Sequence, residues 1–186
     1  ADAIRYIYNS QNPTKIEKIT DGVGRQYVFS YNSTTNLLEK INCLTAEGTQ
    51  IKAGTTDKDL CVTYTYDTNK NLTGVTYPDG KAVTYTYSGE SLVKAENIDG
   101  YSIQYTYDTQ GKVTKLEEFA GTTAGNLITL EQLSNRQVKI TDAYTGTQIQ
   151  QFGRDGKLNY TFDDKGNFCK SDYAPASDEN VYTSSE

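Results

Sequence analysis

Two pairs of adjacent acidic residues are the part of the sequence best suited to chemistry. Glu117-Glu118 and Asp163-Asp164 each offer two carboxylates, the groups with which most glycosidases cleave a sugar bond. Successive residues of a β-strand point to opposite faces, so neither pair could share a cleft if it lies on a strand. The 186 residues include no histidine, which excludes serine–histidine and cysteine–histidine nucleophiles within this sequence. We therefore predict no enzyme activity, no catalytic residue and no cofactor.

The run Asp67-x-Asn69-x-Asn71 has the opening of an EF-hand calcium loop. In such a loop Leu72 would have to be a glycine and Pro78 a glutamate. Asp and Asn also favour turns, because their short side chains hydrogen-bond to the backbone two residues further on. A turn explains the run better, and we predict no metal site.

Three cysteines, Cys43, Cys61 and Cys169, have a spacing that fits no zinc pattern. Cys43 and Cys61 flank residues 44–60, whose composition differs from that of their surroundings. A disulfide closing this segment would contribute roughly 3 kcal/mol if the protein is extracellular. The alternative is two small thiols on neighbouring strands, and both interpretations stay open. Cys169 is left over in either case.

The balance of charge argues against two classes of partner. The sequence has 18 Lys and Arg against 24 Asp and Glu, a net charge of -6, and its basic residues are scattered singly. A protein that follows phosphate groups would concentrate them in a patch, so we exclude nucleic acid and anionic membranes. No stretch approaches the ~20 apolar residues of a membrane span. The sequence starts at Ala1 without a methionine, and we expect a segment of a longer protein.

A repeat of about twenty residues organises the sequence. A Tyr-Thr-Tyr motif begins at Tyr64, Tyr85 and Tyr105, and weaker copies begin at Tyr6, Phe29 and Tyr160. In each copy aromatic and β-branched residues alternate with small polar ones, which is typical of a half-buried antiparallel strand. We call the apolar positions of five copies the aromatic stripe: Phe29, Tyr31, Tyr64, Tyr66, Tyr85, Tyr87, Tyr105, Tyr107, Tyr160 and Phe162.

Each motif is followed by a turn and a second short strand. Aliphatic residues stand three apart at the start of that strand, as at Leu72 and Val75, which indicates a β-bulge or a first residue still in the turn. Asp-Gly pairs, a strong signal for hairpins, then close the unit. These predicted turns are Asp79-Gly80, Asp99-Gly100 and Asp155-Gly156.

The predicted fold class is all-β, with successive antiparallel hairpins of ~20–23 residues that form a twisted, curved and elongated sheet. One β-domain is expected over residues 1–172, with an insertion at 44–60. Residues 121–153 lose the tyrosine motif but keep strand-like pieces at 127–133, 137–141 and 147–152. Residues 173–186 are polar and acidic, and we predict a tail or linker there.

The segments from Tyr64 to Gly80 and from Tyr105 to Val113 resemble the YD repeats of the RHS family. Lys70 and Ser88 depart from the glycine and aspartate usual in that pattern. The resemblance implies an interior run of repeats from a large bacterial surface or secreted protein, with relatives among wall-associated proteins, toxins and teneurins. It implies a β-strip that spirals into a shell, with neighbouring repeats of the parent protein as partners. The motif that ends such shells is missing, so the family's autoproteolysis is not expected.

The aromatic stripe has two interpretations. Tyrosines of adjacent hairpins could stack as cross-strand ladders, or exposed rings could bind sugars. Recurrence at one position of every unit favours ladders, whereas a binding site would need one exposed cluster rimmed by polar groups. We therefore predict a non-enzymatic structural module, with a carbohydrate-binding or adhesive module as the alternative. A homodimer that covers the aromatic face is a further possibility.

Overall fold

The computed structural model describes residues 3–54, 57–173 and 182–185. Every regular element in these residues is a β-strand, and each paired strand is antiparallel to its partner, so the predicted all-β class is confirmed. The described residues contain no helix with the length and apolar character needed to cross a membrane. The chain divides into two units, residues 1–100 and 101–186.

The described residues of unit 1 form eight strands whose order in the sheet follows the chain. They are β1 (Arg5–Asn9), β2 (Asn12–Thr20), β3 (Gln26–Tyr31), β4 (Leu38–Leu44), β5 (Cys61–Tyr66), β6 (Leu72–Thr76), β7 (Ala82–Ser88) and β8 (Ser91–Glu96). The insertion at 44–60 contains two isolated bridges, and Lys52 forms an ion pair of 2.9 Å with Asp59 there.

In unit 2, too, the part of the chain that the structure describes forms eight strands in chain order. They are β9 (Tyr101–Tyr107), β10 (Val113–Ala120), β11 (Thr123–Ser134), β12 (Gln137–Asp142), β13 (Gly146–Phe152), β14 (Leu158–Asp163), β15 (Phe168–Tyr173) and β16 (Tyr182–Ser185). Strands β11 to β13 confirm the strand-like pieces predicted in 121–153. Strand β16, which pairs with β15, lies in the segment predicted as a tail. Residues 174–181 and 186 of that segment lie outside the described residues.

Where an aspartate follows the tyrosine motif, the turn is built around that residue. The Asp67 amide donates to the Asn71 carbonyl (3.0 Å), and the Asp67 carboxylate accepts the amides of Asn69 and Asn71 at 2.9 Å. Lys70 closes the turn with a left-handed backbone, at φ +70°. The same arrangement recurs at Asp21, Asp108 and Asp163, with Gly24, Gly111 and Gly166 at the left-handed position.

The predicted Asp-Gly turns are present, and those at Asp79-Gly80 and Asp155-Gly156 are three-residue loops. The Tyr77 amide donates to the Lys81 carbonyl (2.9 Å), while Gly80 takes the left-handed conformation at φ +87°. This is the hairpin in which a turn is followed by a left-handed glycine, rather than the two-residue Asp-Gly hairpin. Gly156 (φ +78°) closes the same loop, and Gly100 (φ +82°) forms its turn at the end of unit 1.

Lys70 provides a direct test of backbone strain, because a side chain makes the left-handed conformation unfavourable. We expect Lys70→Gly to raise the free energy of unfolding by about 0.5–1 kcal/mol, after allowing for the greater freedom of glycine in the unfolded chain. The reciprocal control is Gly111→Lys, at the equivalent position of another turn, where an added Cβ meets no atom within 4 Å. Gly111→Lys should lower the free energy of unfolding. Urea unfolding measures both, and an unchanged Lys70→Gly variant would contradict the prediction.

A β-bulge near the start of the second strand accounts for the apolar spacing of three. Tyr64 lies opposite Val75 and Tyr66 opposite Leu72, so Thr73 is an extra residue on β6. Equivalent bulges occur on β2, β4, β8 and β10. Because of the bulge, both aliphatic residues lie opposite a residue of the aromatic stripe. The predicted bulge is therefore confirmed.

The folded chain buries less of its surface than a typical monomer of the same mass does. The accessible area is 13063 Å², whereas a folded monomer of this mass exposes about 8,900 Å². Among the described residues only Cys43, Gly74 and Ser102 are buried. The fold is therefore stabilised by rows of half-buried side chains across the strands, and not by a closed core.

Candidate functional site

The part of the aromatic stripe on β5 and β7 of unit 1 lies on one face of the sheet. All ten residues of the stripe are half-buried, while Thr65, Thr84 and Thr86 on the other face of the strands are exposed. Tyr64 lies opposite Val75, which in turn lies opposite Val83. Because directly paired residues share a face, Tyr64 projects on the same side as Val83 and the following residues of the stripe on β7. The predicted alternation of β5 and β7 is therefore present.

The predicted ladders of adjacent tyrosines are not formed in unit 1. A bulged strand lies between successive motifs, so each row alternates aromatic and aliphatic residues. Phe29, for example, lies opposite Ile41, which lies opposite Val62. Contacts between rings occur, among the described residues, only in unit 2. The ladders are absent because the second strand of each hairpin separates one tyrosine motif from the next.

Tyrosine hydroxyls connect successive hairpins. Tyr31 donates to the Ile16 carbonyl (2.9 Å), Tyr66 donates to the Leu38 carbonyl (2.9 Å), and Tyr173 donates to the Leu158 carbonyl (2.7 Å). Each acceptor is the residue just before the extra residue of a bulge in the preceding hairpin. We call this contact the inter-hairpin tyrosine bond. Burial, and to a smaller extent Tyr64, raises the pKa of Tyr66 above its ordinary value.

Two lysines reinforce these bonds. The Lys15 Nζ atom lies 4.5 Å from the centre of the Tyr31 ring, and the Lys157 Nζ atom lies 5.1 Å from that of Tyr173. Both distances suit a cation–π interaction. Each lysine directly precedes the residue whose carbonyl accepts the tyrosine hydroxyl. Neither lysine is among the residues predicted from the sequence, although each directly precedes the aliphatic residue that opens the second strand.

The aromatic stripe changes face within unit 2. The register links a row of residues across five strands: Tyr105, Leu116, Ile128, Asp142 and Gly146. Gly146 shares its face with Gln148, which lies opposite Asp163. Phe162 precedes Asp163 on β14, so Phe162 and Tyr160 project from the face opposite to Tyr105 and Tyr107. The expectation that all the rings point to one side is wrong for this last pair.

Tyr160 and Phe162 belong to an aromatic cluster with Phe168. The three ring centres are 6.0–6.2 Å apart, within the range of attractive ring contacts. Phe168 is 64% exposed. Lys170 lies opposite Tyr160 on the same face, at the edge of the cluster. One exposed cluster with a polar edge is the arrangement that a binding surface would require.

The insertion at 44–60 reaches the apolar face of unit 1. Its Ala53 and Leu60, together with Tyr77, Pro78, Val83 and Ile98, line a cavity of about 680 Å³. The Lys58 Nζ atom lies 3.4 Å from the Asp79 carbonyl at its edge. The insertion therefore forms one wall of a cavity at one end of this face.

The acidic residues are held in structural positions. Glu117 forms an ion pair with Lys115 (2.7 Å), and Glu118 lies on the opposite face of β10. Asp163 is a turn residue, and Asp67 and Asn71 form a turn as predicted. Within the described ranges no group of three or more His, Cys, Asp or Glu residues is placed to hold a metal ion.

Hydrogen bonds lower the pKa of the turn carboxylates. The side-chain amides of Asn71 and Asn167 lower the pKa of Asp67 and Asp163. The backbone amide of Lys112 lowers the pKa of Asp108. These bonds form to the charged carboxylate, so they favour its ionised form.

The three cysteines are free thiols in the structure. Cys61 lies opposite Asn42, so Cys61 and Cys43 point to opposite faces of the sheet. We expect three reactive thiols per chain after denaturation without reductant, counted with a chromogenic disulfide reagent. In the folded protein Cys43 should react last, because it is buried and burial raises the pKa of its thiol. A count of one would instead indicate that two of the three cysteines are joined, as in the alternative of a disulfide between Cys43 and Cys61.

A model of the RHS repeat matches residues 66–96, which confirms the resemblance seen in the sequence for that segment. Comparison with curated protein sequences gives no match. Several solved structures are similar. A chain of the Photorhabdus luminescens Tc holotoxin pore with mutated TccC3 is 17% identical, with 94% of this chain and 10% of that chain covered and a TM-score of 0.60.

Two crystal structures give comparable values. A chain of TcdB2-TccC3-Cdc42 is 16% identical, with 90% of this chain and 10% of that chain covered and a TM-score of 0.57. A chain of TcdB2-TccC3-TEV is 16% identical, with 91% of this chain and 10% of that chain covered and a TM-score of 0.56. The chain thus spans about a tenth of the length of these proteins. At such identities the likeness shows the fold alone.

Proposed function

Since the chain contains an RHS repeat, we propose that it is a non-enzymatic structural module of a longer protein, a segment of an extracellular RHS-type β-shell or scaffold. Its partners are the neighbouring repeats of that protein, and its place is the surface or the exterior of a bacterial cell. The recurring inter-hairpin tyrosine bond is the observation that supports this proposal. The same bond holds Tyr31, Tyr66 and Tyr173 to the preceding hairpin, so these residues serve the array and not one local site.

The mechanism of such a module is mechanical. A single hairpin cannot bury its aromatic residues, but neighbouring hairpins share a continuous row of half-buried side chains. A bulge withdraws a carbonyl from the regular ladder, and at the bulges of β2, β4 and β14 a tyrosine hydroxyl of the next hairpin satisfies it. Repetition of these contacts extends the sheet without a closed core.

Conservative replacement of the tyrosine tests this proposal. We expect Tyr66→Phe to lower the free energy of unfolding by about 1 kcal/mol, because the Leu38 carbonyl loses its hydrogen bond. The matched control is Tyr85→Phe, since the Tyr85 hydroxyl makes no hydrogen bond with a described residue. Urea unfolding of the two variants should separate them. Equal stabilities would contradict the role of the inter-hairpin tyrosine bond.

The aromatic cluster of Tyr160, Phe162 and Phe168 supports a second candidate function. An exposed ring beside a lysine could bind a sugar or another surface, as a carbohydrate-binding or adhesive module would. A glycan array probed with the wild type and with Phe168→Ala tests this alternative. Binding that the variant loses while it remains folded would favour it, and an array without signal would favour the structural module. The third outcome is dimerisation through an apolar face, which analytical ultracentrifugation would detect.

A further inference from the structure

Strand β1 presents an exposed apolar edge. Among the described residues it pairs only with β2. Ile4 is 59% exposed, and Tyr6, Ile7 and Tyr8 are also exposed. An edge of this kind is a template for another strand.

Tyr8 occupies the position at which Tyr31 and Tyr66 form inter-hairpin tyrosine bonds. Tyr8 lies opposite Ile16 at the bulge of its own hairpin, as Tyr31 lies opposite Leu38 and Tyr66 opposite Leu72. The hydroxyls of Tyr31 and Tyr66 then point to the strand before them. The Tyr8 hydroxyl makes no hydrogen bond with a described residue. By continuity with these two interfaces, it suits the carbonyl that a bulged strand would bring to β1.

The register also identifies a residue next to Tyr6 that would lie directly opposite a residue of such a strand. Lys18 of β2 lies opposite Val28, three residues before Tyr31. Lys40 of β4 lies opposite Thr63, three residues before Tyr66. The residue three before Tyr8 is Arg5. A lysine at this position of the partner would therefore meet another positive charge, which is unfavourable for directly opposed residues.

We infer that the edge of β1 that faces away from β2 binds a bulged antiparallel strand with the pattern aliphatic–x–acidic–aliphatic. Tyr8 bonds the carbonyl of the first aliphatic residue, Arg5 pairs with the acidic residue, and Ile4 contacts the second aliphatic residue. Arg5 is thus the specificity-determining residue of this interaction surface, and Tyr8 contributes affinity. The inference rests on the proposed function, because it assumes that hairpins join in the manner seen at β2–β3 and β4–β5.

Two peptides test the inference against the intact chain. The first has the sequence of residues 12–20, Asn-Pro-Thr-Lys-Ile-Glu-Lys-Ile-Thr, and the second carries Lys18→Glu. Titration is followed by NMR at the amides of β1. We expect the Lys18→Glu peptide to bind about three- to tenfold more tightly, from the reversed charge pair. Arg5→Glu in the protein should invert this preference.

The hydroxyl is tested separately. Tyr8→Phe should lower the affinity for both peptides by the same factor, roughly two- to tenfold, because one hydrogen bond is lost. The control is Tyr144→Phe, an exposed turn tyrosine in unit 2, which should change neither affinity. Equal binding of the two peptides by the wild type, a Tyr8→Phe effect no larger than that of the control, or concentration-dependent self-association through β1 would overturn the inference. Failure of the proposed function would instead appear as equal stability of Tyr66→Phe and Tyr85→Phe.

Discussion

Replacing Tyr66 with alanine is expected to lower the free energy of unfolding by about 3 kcal/mol, one of the two largest effects we predict for this chain. Two losses add. The half-buried ring lies opposite Leu72, and its hydroxyl satisfies the Leu38 carbonyl at 2.9 Å. Truncation would remove the apolar contact and leave that carbonyl without a partner. Chemical unfolding followed by the circular dichroism of the β-sheet gives the change directly.

The opposite face of the sheet supplies the control for this experiment. Thr86 is exposed on β7 and lies opposite Lys94. We expect Thr86→Ala to change the free energy of unfolding by less than about 0.5 kcal/mol, as is usual for surface substitutions. If Thr86→Ala proved as harmful as Tyr66→Ala, burial on the tyrosine face would not be what stabilises unit 1.

Acid is expected to destabilise the fold through its turn carboxylates. Hydrogen bonds hold the pKa of Asp67, Asp108 and Asp163 below the ordinary value for aspartate. A group whose pKa is lower in the folded state adds stability above its unfolded pKa, about 3.9, and loses it as pH falls through the folded value. Stability should therefore be steady from pH 7 to about pH 5 and decline steeply toward pH 3.

Urea unfolding at several pH values between 3 and 7 measures this decline. Asp108→Asn keeps an oxygen acceptor for the turn amides but carries no charge, so its curve should fall less steeply than that of the wild type. Asp164→Asn is the matched control, because this exposed aspartate directly follows the turn residue Asp163. A wild-type curve that stays level down to pH 3 would be incompatible with charged carboxylates stabilising these turns.

The elements could be predicted from the sequence because their signals are local. Alternation of Tyr and Thr marks β5, β7 and β9, and an aspartate directly after a motif marks the turn. The spacing of three between Leu72 and Val75 indicated the bulge. Such features depend on which face a side chain takes and on hydrogen bonds that span only a few residues.

The contacts between hairpins could not be predicted in the same way. The bond from Tyr66 to Leu38 spans the 44–60 insertion, and periodicity does not show which carbonyl a hydroxyl will reach. The change of face before Phe162 depends on the pairing of β12 with β13, where Ile140 lies opposite Gln148 and Ile149 opposite Lys139. In a strand with weak alternation, register is weakly specified, and a shift of one residue reverses every side chain.

The large accessible area of the folded chain has a thermodynamic consequence. Surface that is already hydrated in the native state cannot be newly exposed when the chain unfolds. The heat-capacity increment and the denaturant m-value both scale with newly exposed area, so both should be small for 186 residues. Hairpins that contact only their neighbours also melt less cooperatively than a closed domain does. Covering the apolar face would therefore sharpen the melting transition as well as shift it to higher temperature.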